Sequence, residues 1–236
     1  MKIIYKILYG SDAYGTTMND SDRDIRGILL PTISECLSLR ELKEVRKEKK
    51  NESSKIIEDK VMFPIQKFFR LAIKSNPAVF EWLFVPKSCI LKMTKEGKRI
   101  RDNRKLFLSQ EIYYRFRGFA MSEFSSLTKL TGKTGADRKK KILKYGYNPK
   151  NAMNVIRLME QGIELLETAD ITMPRPNAEY LKQIKRGKLQ YKQIVEKWNE
   201  LEEKMTKAFK NTKLPNKPQF EKANKLMVRI IKDEYT

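Results

Sequence analysis

The sequence predicts an α+β protein, with a small mixed-sheet core over residues 1–108 followed by a helical half over residues 109–236. Three observations lead there. Short runs rich in β-branched and aromatic residues, the composition of strands, fall within the first 63 residues. From about Gln110 onward the apolar residues recur almost wholly at helical spacing. The chain is 236 residues and 27.8 kDa, 40% hydrophobic and 33% charged, which suits one large domain or two small ones with a real core and a polar surface.

The opening KIIYKILY reads as a strand, broken by Gly10-Ser11. Ser11 to Gly15 suits the first turn of a short helix with Ser11 as its cap. Asp22 to Leu30, DRDIRGILL, is a second strand stopped by Pro31. The charged run from Arg40 to Lys55 has little apolar content and reads as a mobile loop or a frayed helix. Asp59 to Phe63 is a third strand, and Pro64 then opens a helix. Ile65, Phe68, Phe69 and Ala72 share one face of that helix and are predicted core, as are Trp82 and Trp198. Asn76-Pro77 makes a turn into a short helix through Glu81-Trp82-Leu83-Phe84. Gly132 to Gly135 is a basic interruption in the helical half, and Met173 to Pro176 and Lys213 to Pro218 mark boundaries between helices.

Composition excludes several chemistries. There is no histidine, so a Ser-His-Asp triad, a Cys-His pair and a His-ligated zinc are all ruled out. Cys36 and Cys89 cannot make a disulfide framework, which points to a reducing, cytoplasmic compartment. No apolar stretch approaches the roughly 20 residues needed to cross a bilayer. Fifty basic against 29 acidic residues give a formal charge of +21, which fits a polyanionic partner such as nucleic acid or nucleotide phosphates.

The segment with chemical content is GSDAYGTTMNDSDRDIRG, Gly10 to Gly27. Asp22 and Asp24, two apart on a strand, are expected on one face. Carboxylates that close repel unless a cation lies between them, and magnesium suits such a pair, because it takes oxygen ligands and leaves room for substrate phosphates. Gly10 lets the backbone approach a triphosphate closely, and the Ser11 hydroxyl with adjacent amides can bond phosphate oxygens. Standing alone, Asp-x-Asp would better suit a solvated strand edge or turn; the strand–Gly–Ser unit upstream turns the reading toward catalysis.

This arrangement resembles the signature of the DNA polymerase β-like nucleotidyltransferase superfamily. The stretches GSDAYGT, SDRDIRG, KFFRLAIKSNPAVFEWLF and KYGYNPKNAMNVIRLMEQGIELLET resemble one subgroup of it, the nucleotidyltransferases associated with RNA repair. The resemblance runs from Ile3 to about Met227. It implies a palm-like core and a third metal-binding carboxylate on a neighbouring strand, which the subgroup's spacing before its Lys-Phe helix assigns to Asp59. Glu58 would face the opposite side. It further implies two magnesium ions, with manganese as an alternative, held by Asp22, Asp24 and Asp59, and transfer of a nucleoside monophosphate from an NTP to a hydroxyl, with an RNA end, tRNA included, as acceptor.

Arg26 is expected on the face of Asp24, where it reaches either a phosphate or the carboxylates. Lys150, Asn154, Arg157 and Gln161 form one polar stripe of a helix starting near Asn148, opposite an apolar stripe of Ala152, Val155, Met159, Gly162 and Leu166. The subgroup pattern is met at Gly146, Tyr147, Lys150 and Ala152. It is not met at Asn148, where Asp is usual, or at Asn154, where His is usual, which leaves hydrogen bonding but no titratable group there. Lys144, Tyr147, Lys150 and Asn154 are thus candidates for contacting the nucleotide, the alternative being a helix start with a packing tyrosine. Lys133, Arg138, Lys139, Lys140 and Lys141, flanked by Tyr145 and Tyr147, suit a nucleic-acid backbone or else a solvated helix face. A protein or small-molecule acceptor, and a catalytically silent RNA-binding module, are the competing functional readings.

Overall fold

The computed structural model describes residues 1–19, 21–52, 56–130 and 135–233. It packs into two compact units, the first being Met1–Leu108, Thr172–Pro176 and Lys217–Thr236, and the second Ser109–Ile171 and Asn177–Asn216. The final helix, grouped by sequence with the helical half, therefore packs in the first unit.

The first unit carries strands β1 (Lys2–Leu8), β2 (Arg23–Leu30), β3 (Val45–Lys50), β4 (Ile56–Pro64) and β5 (Ile90–Met93) in one sheet, ordered β3-β4-β2-β1-β5. Among the described strands only the β2–β4 pair is parallel. The helices are α1 (Ser11–Tyr14), α2 (Ile33–Leu37), α3 (Ile65–Ile73), α4 (Pro77–Phe80), α5 (Lys95–Asp102) and, from the C-terminal segment, α11 (Phe220–Asp233). Single 3-10 turns follow α4 at Glu81–Leu83, precede β5 at Lys87–Cys89, and end the continuous part at Arg104–Phe107.

Two local expectations are corrected. Gly10, not Ser11, is the residue before the first helical turn, and no side chain caps it. The charged run read as loop or frayed helix contains β3, whose six residues are all exposed. Backbone pairing to β4 supplies what side-chain burial does not, and charges along an edge strand guard against edge-to-edge association.

The two faces of the sheet differ. One face, carrying Tyr5, Ile28 and Phe63, meets α3 and the turn after α4: Phe63 and Phe68 stack on Trp82 with ring centroids 5.2 and 5.7 Å apart, and the Tyr5 hydroxyl donates to the Trp82 carbonyl at 2.9 Å. Ile65, Phe68, Phe69 and Ala72 are buried, as their spacing predicts. On the other face, Ile25, Leu29 and Met62 form a small buried cluster joined by partly buried Ile3 and Leu8.

The second unit is helical: α6 (Glu111–Ser125), α7 (Ala136–Tyr145), α8 (Pro149–Thr168), α9 (Ala178–Lys185) and α10 (Tyr191–Asn211). The Asn148 side chain caps α8 by accepting from the Lys150 and Asn151 amides. The predicted apolar stripe of α8 is buried, and it packs against α6, α10 and α9. A methyl group at Gly162 would sit 2.6 Å from Met205 Cε and 3.0 Å from Phe116 Cβ, so α8 lies close against its neighbours there. Trp198 is buried and stacks on Phe124 at 4.5 Å. Among the described residues no helix is long and apolar enough to cross a membrane.

Candidate active site

The site is built where β1 ends and β2 and β4 begin. The Tyr9 amide donates to the Asp24 carbonyl at 2.8 Å, extending the β1–β2 ladder one residue. At Gly10 the chain then takes φ 59°, ψ −132°, backbone space that side chains other than hydrogen rarely tolerate. The turn lies directly against a carboxylate: a Cβ on Gly10 would stand 2.2 Å from Asp24 Oδ2. Ser11 follows as the first, half-buried residue of α1.

The parallel register sets Asp24 beside Asp59. Arg26, two residues on and therefore on the same face, joins them. Its Nη2 donates to Asp24 Oδ1 at 2.7 Å and to Asp59 Oδ2 at 2.8 Å, while Nη1 donates to the Asp59 and Ile25 carbonyls at 2.8 and 3.0 Å. Of the two roles open to Arg26, the structure displays the carboxylate pairing. These side chains are only 15–29% exposed, so the charges are less screened than in a surface pair. The guanidinium also lies 5.8 Å from the Tyr9 ring centroid. Behind it Glu81, fully buried, accepts from the Tyr9 hydroxyl at 2.8 Å and from the Tyr14 hydroxyl. One buried carboxylate thus grips both ends of the segment from Tyr9 to Tyr14.

Of the three expected metal ligands, two are brought together. Asp22 stands half-buried just before β2, whose pairing with β4 starts at Arg23–Glu58, so no ladder fixes its side chain beside Asp24. Among the described residues no three acidic or thiol side chains converge as a metal cluster. The Asp24–Asp59 pair nonetheless fits a divalent ion chemically. Its two oxygens both bond one nitrogen and so lie at most 2.7 + 2.8 = 5.5 Å apart. Two carboxylates aimed at one point are the protein share that magnesium takes alongside phosphate and water. Glu58 pairs with Arg23 on the opposite face.

The remaining candidates lie in the second unit. Tyr147 is fully buried, its hydroxyl donates to the Leu189 carbonyl at 2.7 Å, and burial raises its pKa. It is a packing residue there, the alternative to base stacking. Arg157 and Gln161 are buried and bonded to each other at 2.6 Å, so the polar stripe of α8 is half interior, with Lys150 exposed and Asn154 half-buried. Lys144 is exposed, with Nζ 5.1 Å from the Tyr145 ring centroid. In α7, Arg138 donates to the Ser126 carbonyl and Lys141 pairs with Asp137, while Lys139 and Lys140 are exposed. Lys133 lies outside the described residues.

Sequence reasoning passed over three residues of the first unit. Glu81 and Tyr9 carry the support of the turn; the signal for Glu81 was a lone carboxylate inside the apolar run AVFEWLFV. Arg175, noted only as part of a boundary, is buried, and its amide donates to the Tyr14 carbonyl at 3.0 Å.

The model of the RNA repair pathway DNA polymerase beta family matches residues 1–229. An uncharacterized 38.9 kDa protein from the nrdC-mobD intergenic region of Enterobacteria phage T4 is 30% identical over 112 residues, which is 45% of this chain and 33% of the phage protein. The match therefore spans about a third of that relative's length. Among solved structures, a nucleotidyltransferase-like protein from Exiguobacterium sibiricum aligns with 99% of this chain and 70% of its own, at 10% identity and a TM-score of 0.31.

Proposed function

Because the chain belongs to the RNA repair pathway DNA polymerase beta family, we propose that it is a nucleotidyltransferase that moves a nucleoside monophosphate from an NTP to a hydroxyl of an RNA end. The observation that carries this reading is the convergence of Asp24 and Asp59 on one cationic nitrogen, beside a glycine turn with no room for a side chain.

In this reading Asp24 and Asp59, with Asp22 as the third candidate, hold divalent metal. Bound there, magnesium or manganese supplies neutralisation of the triphosphate and a lowered pKa for the acceptor hydroxyl. Gly10 and Ser11 receive the phosphates against the open backbone of the turn. Arg26 holds both carboxylates when no other cation is present, and its charge is available to a phosphate when it leaves them. Glu81, through the Tyr9 and Tyr14 hydroxyls, fixes where the turn stands relative to Asp24. Lys144, Lys150 and Asn154 are proposed to contact the nucleotide and the α7 lysines the RNA. Positioning and charge neutralisation do most of the work in phosphoryl transfer, so the absence of histidine is no obstacle.

The test is incubation with labelled NTP, magnesium and RNA. Label is expected in RNA with the wild type and lost with Asp24→Asn and Asp59→Asn, both variants remaining folded by circular dichroism. Full transfer by either variant would remove the assignment, and label in protein in place of RNA would move the acceptor to another class.

A further inference from the structure

The sheet sorts its charges by face. Residues paired across neighbouring strands point to the same side, so the registers define each face from edge to edge. The face opposite the carboxylates carries Lys92 beside Lys6, Lys6 beside Gly27, and Gly27 beside Met62. The next row holds Leu8, Ile25, Lys60 and Lys47, and the last holds Arg23, Glu58 and Lys49. That is six cations, Lys6, Arg23, Lys47, Lys49, Lys60 and Lys92, against Glu58, or 6 − 1 = +5. The carboxylate-bearing face has Asp24, Asp59 and Glu48 against Lys2, Arg26 and Arg46 over the same strands, or 3 − 3 = 0.

The cationic face leaves its charged residues exposed or half-exposed. Its buried cluster of Ile25, Leu29 and Met62 draws only on strand residues among the described ones, with Ile3 and Leu8 at its margin. Arg23, Lys47, Lys49 and Lys92 are exposed, and Lys6 and Lys60 half-exposed. Lysine stems covering apolar surface with their ammonium groups outward give this combination. None of the six forms an ion pair with a described residue. At about 4.8 Å between strands and 3.3 Å per residue, the patch measures roughly 19 by 13 Å.

We propose that this outer sheet face is a second RNA-binding surface, one that tracks the phosphate backbone on the side of the first unit away from the carboxylates. The choice of RNA among polyanions rests on the proposed acceptor; the charge complementarity does not. A row of cationic side chains whose one exposed apolar neighbour among the described residues of these rows is Val45 offers phosphates a track and offers a lipid interior little to insert.

The experiment is fluorescence anisotropy with fluorescein-labelled oligouridylate across a salt series, without NTP or metal. The triple variant Lys47→Gln, Lys60→Gln, Lys92→Gln should keep the wild-type melting temperature. Each single-strand phosphate contact contributes about 0.7 to the salt slope, so the slope should become shallower by about 2. If the two salt lines meet near 1 M, binding at 0.1 M weakens about 100-fold. Wild-type affinity and slope in the triple variant would overturn the inference, as would wild-type protein that sediments with phosphatidylserine vesicles and ignores oligouridylate. A variant of α7, Lys139→Gln with Lys140→Gln, separates the surfaces: loss confined to that variant also overturns it. Label transfer to RNA with binding unchanged in the triple variant sinks the face and spares the reaction. Face-dependent binding without transfer does the reverse.

Discussion

Replacing Gly10 by alanine puts a methyl carbon 2.2 Å from Asp24 Oδ2 and 3.1 Å from its Cγ. Ordinary contact needs about 1 Å more, and the short aspartate side chain cannot yield it without disturbing Oδ1, which Arg26 holds at 2.7 Å. The backbone adds its own penalty, since φ 59°, ψ −132° costs a residue with a Cβ about 1–3 kcal/mol. For a protein of this size that lowers the melting temperature by about 2–4 °C per kcal/mol. A displacement of about 1 Å at a reacting centre costs about 100-fold in rate. The assay is the initial rate of label transfer from NTP to RNA, paired with a thermal melt. Gly118→Ala is the matched control, because a methyl there meets nothing within 4 Å and alanine within helix α6 should add about 0.5–1 kcal/mol. Gly10→Ala protein that melts and turns over like the wild type would refute the reasoning from close approach to geometry.

Two further outcomes follow from the same unit. Glu81→Ala removes an acceptor shared by the Tyr9 and Tyr14 hydroxyls and should cost about 1–3 kcal/mol in urea unfolding, with Glu81→Gln, which keeps an acceptor oxygen, losing less; an alanine variant with the wild-type midpoint speaks against the anchor. The hydrogen bond from Lys67 holds the Glu44 carboxyl below its ordinary value of 4.5. A depressed carboxylate stabilises the fold above that value and loses the contribution as pH falls through the folded-state pKa. Wild-type protein should therefore lose more stability than Glu44→Gln between pH 5 and acid conditions below about 4, read as urea midpoints; parallel curves would argue that the pair contributes nothing.

Much of the first unit was legible because its signals are local. Alternating β-branched runs, the Pro64 helix start and the face of Ile65, Phe68, Phe69 and Ala72 need only period and punctuation. Strand β3 was not legible, since a strand whose residues are all exposed leaves no apolar alternation to read. The polar stripe of α8 was found, but not that Arg157 and Gln161 would be interior partners. Spacing locates a stripe on a helix and is silent about what packs over it. Glu81 was hidden for the same reason: its partners lie 72 and 67 residues away.

By itself the sequence determined the chemistry on offer: no imidazole, carboxylates around a Gly-Ser turn, and a large excess of lysine. Tertiary structure decided which of those groups meet. The parallel pairing of β2 with β4 set Asp24 beside Asp59 and put Arg26 between them, while Asp22 fell outside the ladder. The same registers gathered lysines from separate strands onto one face. Composition counts charges, but strand register, a relation between segments distant in the chain, assigns each one a side and a neighbour.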